Sequence, residues 1–207
     1  MKILGVIGYL LIVSGTFLMS FSPFFGILSV IGFIMVALAW IWLGQESGEK
    51  VMLGNGAFMF LILVLSFLIP VFVVLSGNFK LLGYGLEFLL GLTFISLIFD
   101  LGSHIRAYLK FRVRSFAAAF ALRLAGVFLS AWVIYEMRGI VDVRNVYQLM
   151  EFVKLHSPQL AAFTLVVVLA NILSASGFYG LKVEGLNRGI KERPKKLNRE
   201  ETKADRQ

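Results

Sequence analysis

Apolar residues run unbroken over long stretches of this chain. Six such runs fill most of residues 3–180: Ile3–Phe21, Phe24–Leu43, Asn55–Ser76, Leu81–Phe99, Ser115–Tyr135 and Gln159–Tyr179. A helix needs about 20 mostly apolar residues to cross the hydrocarbon core of a bilayer. In water, six such helices in succession would have no amphipathic partner to cover them. The pattern therefore predicts an all-α protein, a polytopic membrane helix bundle with six transmembrane helices over residues 1–180. A basic tail, residues 181–207, follows it as a cytoplasmic, mobile or loosely helical segment.

The breaks between runs predict the connections. Ser22-Pro23 is so short a turn that the first two spans must be antiparallel neighbours, because Pro has no N–H and disfavours helix in the residue before it. Gly5, Gly8 and Gly15 can face Gly26, Ser29 and Gly32 across that hairpin, where small residues allow close backbone approach. Gly44–Gly54 reads as a polar loop, and Pro70 predicts a kink inside the third span. Gly102 and Ser103 read as a helix break, with Ser103 a cap for a new segment. Arg106, Lys110 and Arg114 recur every four residues and so share one face of a helical lead into span five. Between residues 137 and 158 the apolar positions Val146, Leu149, Met150 and Val153 follow a helical period, which predicts a short amphipathic helix at the outer interface, stopped by Pro158.

Composition agrees with the pattern. The 207 residues are 58% hydrophobic and 15% charged, against roughly 45–50% and 25% in soluble domains. The absence of cysteine removes disulfides, thiolate metal sites and a cysteine nucleophile. The first run is long for a signal peptide, and Ser20-Phe21-Ser22-Pro23 is a poor cleavage site, so it reads as a retained span.

Charge gives the spans a direction. With connections assigned alternately to two sides, fifteen Lys and Arg fall on one side and four on the other, and Arg123 lies within a span. Basic residues favour cytoplasmic loops, so both termini are expected in the cytoplasm. The set Arg106, Lys110, Arg112 and Arg114 forms a cytoplasmic basic patch. Its expected partner is the bilayer itself, through anionic headgroups that the tail can also meet. Nucleic acid is not expected as a partner, and a homo- or hetero-oligomer stays open.

Polar groups inside a membrane are costly and so point to function. Three stand out: Glu87, Arg123 and Asn171. From the cytoplasmic end, Arg123 and Asn171 each lie about 12 Å deep and Glu87 about 18 Å, at about 1.5 Å per residue. A Glu87–Arg123 pair with Asn171 nearby is geometrically allowed. Mutual neutralisation, independent snorkelling and a substrate, ion or proton site are the three readings of the cluster.

Catalytic signatures are missing. His104 and His156 fall on opposite sides of the membrane in this topology and cannot share a metal, and no HExxH, GxSxG, Walker or dinucleotide pattern occurs. No catalytic residue, metal or cofactor is assigned. Lys2-Ile3-Leu4-Gly5-Val6-Ile7-Gly8, Ser14-Gly15 and Phe25-Gly26-Ile27-Leu28-Ser29-Val30-Ile31-Gly32-Phe33 resemble the opening of a family of uncharacterised small multi-pass membrane proteins of prokaryotes, a domain of unknown function. The resemblance covers the first hairpin and extends to later spans by hydropathy alone. It implies a prokaryotic inner (plasma) membrane and supplies neither an activity nor site residues. The expected function is that of a non-enzymatic, transport-related or membrane-assembly component. The alternative is a membrane-embedded enzyme acting on lipid, with Asp100, His104 and Arg106 opening laterally to the bilayer.

Overall fold

A computed structural model describes residues 2–19, 21–78, 80–140 and 146–181. The side chains of a few positions within helices, Glu87 among them, fall outside that description, as does the expected tail beyond residue 181. Seven α-helices account for nearly all described residues: α1 (Lys2–Leu18), α2 (Gly26–Ser47), α3 (Lys50–Ser76), α4 (Lys80–Phe111), α5 (Arg114–Ile140), α6 (Val146–Leu155) and α7 (Ser157–Gly180). A single 3-10 turn, Pro23–Phe25, joins α1 to α2. The protein is all-α. Among the described residues, four helices, α2, α3, α5 and α7, are long and apolar enough to cross a membrane.

Each of α1 to α5 packs on its sequence neighbour, and α7 closes the circle by packing on both α5 and α1. The result is a ring of six helices, with α6 outside it against α7. Buried residues mark one end of this ring. Most of them lie in the first half of α1, α3 and α5 (Gly5 to Tyr9, Met52 to Met59, Phe116 and Ala119) and in the second half of α2, α4 and α7 (Val36 to Gly44, Ser96 to Ala107, Ala170 to Phe178), with Gly15, Gly32 and Val73 buried nearer the other end. Helices that contribute alternate halves to one packed end run alternately up and down.

Trp40 of α2 fills that end. Its ring meets Phe178 of α7 and His104 of α4 edge-on, each at 5.0 Å, and Phe116 of α5 at 5.9 Å. The indole N–H donates to the Tyr9 hydroxyl of α1 at 2.9 Å, giving the buried polar end of each ring a partner. The α1–α2 hairpin closes through glycine. A Cβ on Gly32 would lie 2.6 Å from the Gly8 carbonyl oxygen, so the two backbones touch where neither residue has a side chain. Packing of this kind suits a medium that supplies no hydrophobic drive between helices.

Three connections differ from the sequence reading. Gly44–Gly54 is not a loop: α2 continues to Ser47, and only Gly48 (φ 73°) and Glu49 separate it from α3. Polar residues there lengthen the helices, since helical backbone hydrogen bonds persist past the apolar core. Gly102 and Ser103 do not break α4. Ser103 is fully buried, and its hydroxyl donates to the Val51 carbonyl of α3 at 3.2 Å, so it ties two helices together and caps neither. The break comes instead at Arg112, in the left-handed region at φ 58°. Arg106 and Lys110 therefore end α4 while Arg114 begins α5, and the three do not share one helix. The amphipathic segment does form α6, and Pro158 lies in the first turn of α7, where its missing N–H costs nothing.

Candidate functional site

One polar cluster lies directly beside the aromatic layer. α4 is continuous through Asp100 and His104, and their four-residue spacing puts both on one face. Asp100 is 7% exposed and His104 is fully buried. The neighbouring helix α5 contributes Arg123, and its Nη1 lies 2.7 Å from Asp100 Oδ2. The other carboxylate oxygen accepts from Asn55 Nδ2 of α3 at 3.2 Å. Arg123 Nη2 donates to Asn171 Oδ1 at 3.0 Å and to Ser174 Oγ at 3.2 Å, both on α7. The Asn171 and Ser174 spacing of three residues stacks them on one face of that helix. The guanidinium carbon also sits 5.6 Å from the centroid of the Tyr9 ring, a cation–π distance.

His104 joins the cluster to the aromatic layer. Its Nδ1 is 2.8 Å from the Asp100 carbonyl oxygen and 3.4 Å from Asp100 Oδ1. Its Nε2 is 2.8 Å from Ser174 Oγ. Five helices thus deliver side chains to one centre: α1 (Tyr9), α3 (Asn55), α4 (Asp100, His104), α5 (Arg123) and α7 (Asn171, Ser174). Among the described residues, two buried polar atoms of the cluster have no hydrogen-bond partner, the acceptor Asn55 Oδ1 and the donor Arg123 Nε. Buried polar atoms are ordinarily satisfied by protein or by water, so the centre has hydrogen-bonding capacity to spare.

Of the three intramembrane residues singled out in the sequence, Arg123 and Asn171 are in direct contact. Glu87 lies on α4 thirteen residues before Asp100, about 20 Å along the helix axis. Its side chain is outside the described residues, and the carboxylate that engages Arg123 is that of Asp100. The pairing of Arg123 with Asp100 is not legible in the sequence, because Asp100 directly follows the apolar run Leu81–Phe99, where a carboxylate marks the end of a span as well as a site. The readable signal was Asp100-x-x-x-His104, an acid and an imidazole one turn apart. Asn55 and Ser174 carried no signal of their own.

The basic patch has a different character. Arg106, Lys110, Arg112 and Arg114 are all exposed, at the junction of α4 and α5 and at the packed end of the ring. Lys110 pairs with Glu49 at 3.3 Å and also meets the Ser47 carbonyl, which pins the α2–α3 turn to the end of α4. Arg106 does not join Asp100 and His104, which point inward. Among the described residues, no group of three or more His, Asp or Glu is placed to hold a metal ion.

Comparison with known proteins found no matching family model, no matching curated protein and no matching solved structure.

Proposed function

We propose that this chain is a six-span integral membrane protein of the transport-related, non-enzymatic class, and that the Asp100–Arg123 centre is its working site. The observation that carries the reading is a buried ion pair at the convergence of five helices that still holds two unmatched polar atoms. A purely structural pair would be expected to satisfy its surroundings, because a half-satisfied buried network costs more than an apolar core. The aromatic layer of Trp40, Phe116 and Phe178 closes the site toward the end that carries the basic patch, and burial thins toward the other end. That asymmetry suits a site reached from one side.

The ring supports a reading with six crossings. α3 and α5 both begin at the packed end, which favours a return of α4 between them, and the α4 run Leu81–Phe99 carries a single charged residue, Glu87. α1 and α2 are likewise joined at the far end. At 17 residues α1 measures about 25 Å, somewhat short of a core of about 30 Å, a mismatch that local thinning accommodates. The charge distribution orients the packed end and both termini toward the cytoplasm. The exposed Arg106, Lys110, Arg112 and Arg114 then lie at the height of anionic headgroups of an inner (plasma) membrane. A lipid-enzyme reading receives less support, since Asp100 and His104 face the interior and Arg106 stands apart from them.

Side-specific labelling tests the reading. The chain has no native cysteine, so single cysteines report cleanly. Ser96→Cys lies one turn before Asp100 on α4, and Arg112→Cys lies on the exposed α4–α5 turn. A membrane-impermeant thiol reagent should reach Ser96→Cys only from the face opposite the one that exposes Arg112→Cys. Protection of Ser96→Cys from both faces would mean a dry structural bundle and would end the transport reading in favour of an assembly role.

A further inference from the structure

We propose that the ligand of this centre is a proton and that His104 carries it, an inference that rests on the transport-related reading for its physiological direction. The argument is a count of hydrogens. Three short contacts form a chain: Asp100 carbonyl oxygen to His104 Nδ1 at 2.8 Å, His104 Nε2 to Ser174 Oγ at 2.8 Å, and Ser174 Oγ to the Ala170 carbonyl oxygen at 2.8 Å. Each contact at that distance needs one hydrogen between its two heavy atoms. A neutral imidazole supplies one hydrogen and the serine hydroxyl one more. Two hydrogens cannot fill three contacts.

Either neutral tautomer therefore leaves a mismatch. With hydrogen on Nδ1, the Ser174 hydroxyl can donate to Nε2 or to Ala170 but not to both. With hydrogen on Nε2, the Nδ1 lone pair faces the Asp100 carbonyl. The imidazolium supplies two hydrogens, and all three contacts are then made: Nδ1–H to Asp100, Nε2–H to Ser174, and the Ser174 hydroxyl to Ala170. Ser174 Oγ also accepts from Arg123 Nη2, which brings it to its full capacity of two bonds accepted and one donated. Proton binding forms one N–H bond and breaks none, and release needs only rotation of the Ser174 hydroxyl back to Nε2. The same side-chain positions serve both states.

The charges around the ring come from every element packed against it. α4 offers the Asp100 carboxylate, 3.4 Å from Nδ1, and α5 offers the Arg123 guanidinium, held by the other oxygen of that carboxylate. α1 offers the Tyr9 phenol, bonded to Trp40 of α2. α3 and α7 offer only the neutral Asn55, Asn171 and Ser174. With Asp100 ionised, the neutral-His104 centre has no net charge and the loaded centre carries +1. Burial opposes the added charge and the carboxylate favours it. A site that binds a proton without rearrangement, yet does not hold it as one half of an exclusive pair, is suited to giving it up.

The test uses the full chain in lipid nanodiscs with 15N-labelled histidine. Only two histidines are present, so His156→Gln assigns the spectrum, and His104→Gln assigns it independently should the first variant fail to fold. As the pH is raised from about 4 to about 8, a range that includes the window of an unperturbed histidine, the His104 nitrogens should pass from the doubly protonated signature to that of a single tautomer. Ser174 partners Nε2 in both states, but its bond to the charged ring is the stronger one, so in Ser174→Ala the protonated population at a given pH should fall several-fold. A single neutral tautomer throughout, unmoved by Ser174→Ala, overturns the proposal. If His104 titrates while Ser96→Cys is protected from both faces, proton binding stands and the transport reading falls. If Ser96→Cys is labelled while His104 does not titrate, the centre serves another ligand and the proton assignment falls.

Discussion

Removing one partner of the Asp100–Arg123 pair should be among the most damaging polar changes in the protein. Both side chains are largely enclosed, 10% and 16% exposed, and their closest atoms are 2.7 Å apart. Two unit charges about 4 Å apart attract by about 4 kcal/mol at an effective dielectric constant near 20. Asp100→Asn removes that attraction and leaves a buried guanidinium without a counter-charge, a change that typically costs about 3–5 kcal/mol. Arg123→Gln leaves the carboxylate unpaired and also forfeits the bonds to Asn171 and Ser174, so its cost should be at least as large. The double variant carries two neutral amides that can bond to each other. Its loss should fall short of the sum of the two single losses by about 2–3 kcal/mol, the upper range of measured couplings. Reversible unfolding of the four proteins in mixed detergent micelles, followed by circular dichroism, gives all three differences. Additivity to within about 0.5 kcal/mol, the spread expected of independent sites, would refute the claim that these charges stabilise each other.

Other residues give separate tests. Trp40→Phe keeps an aromatic ring but removes the N–H that bonds Tyr9, and should cost about 1–3 kcal/mol in the same unfolding assay. Gly32→Val places a side chain against the Gly8 carbonyl and Ile12 backbone; it should cost at least about 1–3 kcal/mol by overpacking, whereas Gly26→Ala, with only Met19 side-chain atoms nearby, should be nearly silent. Arg112→Gly relieves a non-glycine residue at φ 58° and should leave stability unchanged or raise it by up to about 1 kcal/mol, read as a small upward shift in the unfolding midpoint.

The ring also explains why some positions were legible and others were not. Hydropathy located the helices because a bilayer demands long apolar runs whatever the neighbours are. It misjudged their ends at Ser47 and Phe111, because beyond the apolar core helix continuation depends on local hydrogen bonding and on contacts such as Ser103 to Val51. The small-residue pattern of the first hairpin is legible in part: Gly8 meets Gly32 and Gly15 meets Ser29, whereas Gly5 packs on Phe178 of α7 and Gly26 on the Met19 side chain. Depth counting brought Arg123 level with Asn171, and they do meet. The same counting could not choose Arg123's carboxylate, since a side chain as long as arginine's reaches well along its helix.

What the sequence determined by itself was a periodicity and a medium: apolar helices in alternating directions, with positive charge gathered at one end. Those are local or one-dimensional properties, set by residue type and spacing. The tertiary structure decided which polar groups share a centre. α7 closes the ring between α5 and α1 and carries Ser174 to His104, seventy positions away, and Asn171 to Arg123. No spacing rule links residues so far apart. Their meeting depends on the order of helices around the ring, and that order is set by which surfaces pack closely, Gly8 on Gly32 and Trp40 on Phe178, once the bilayer has made all apolar faces equivalent.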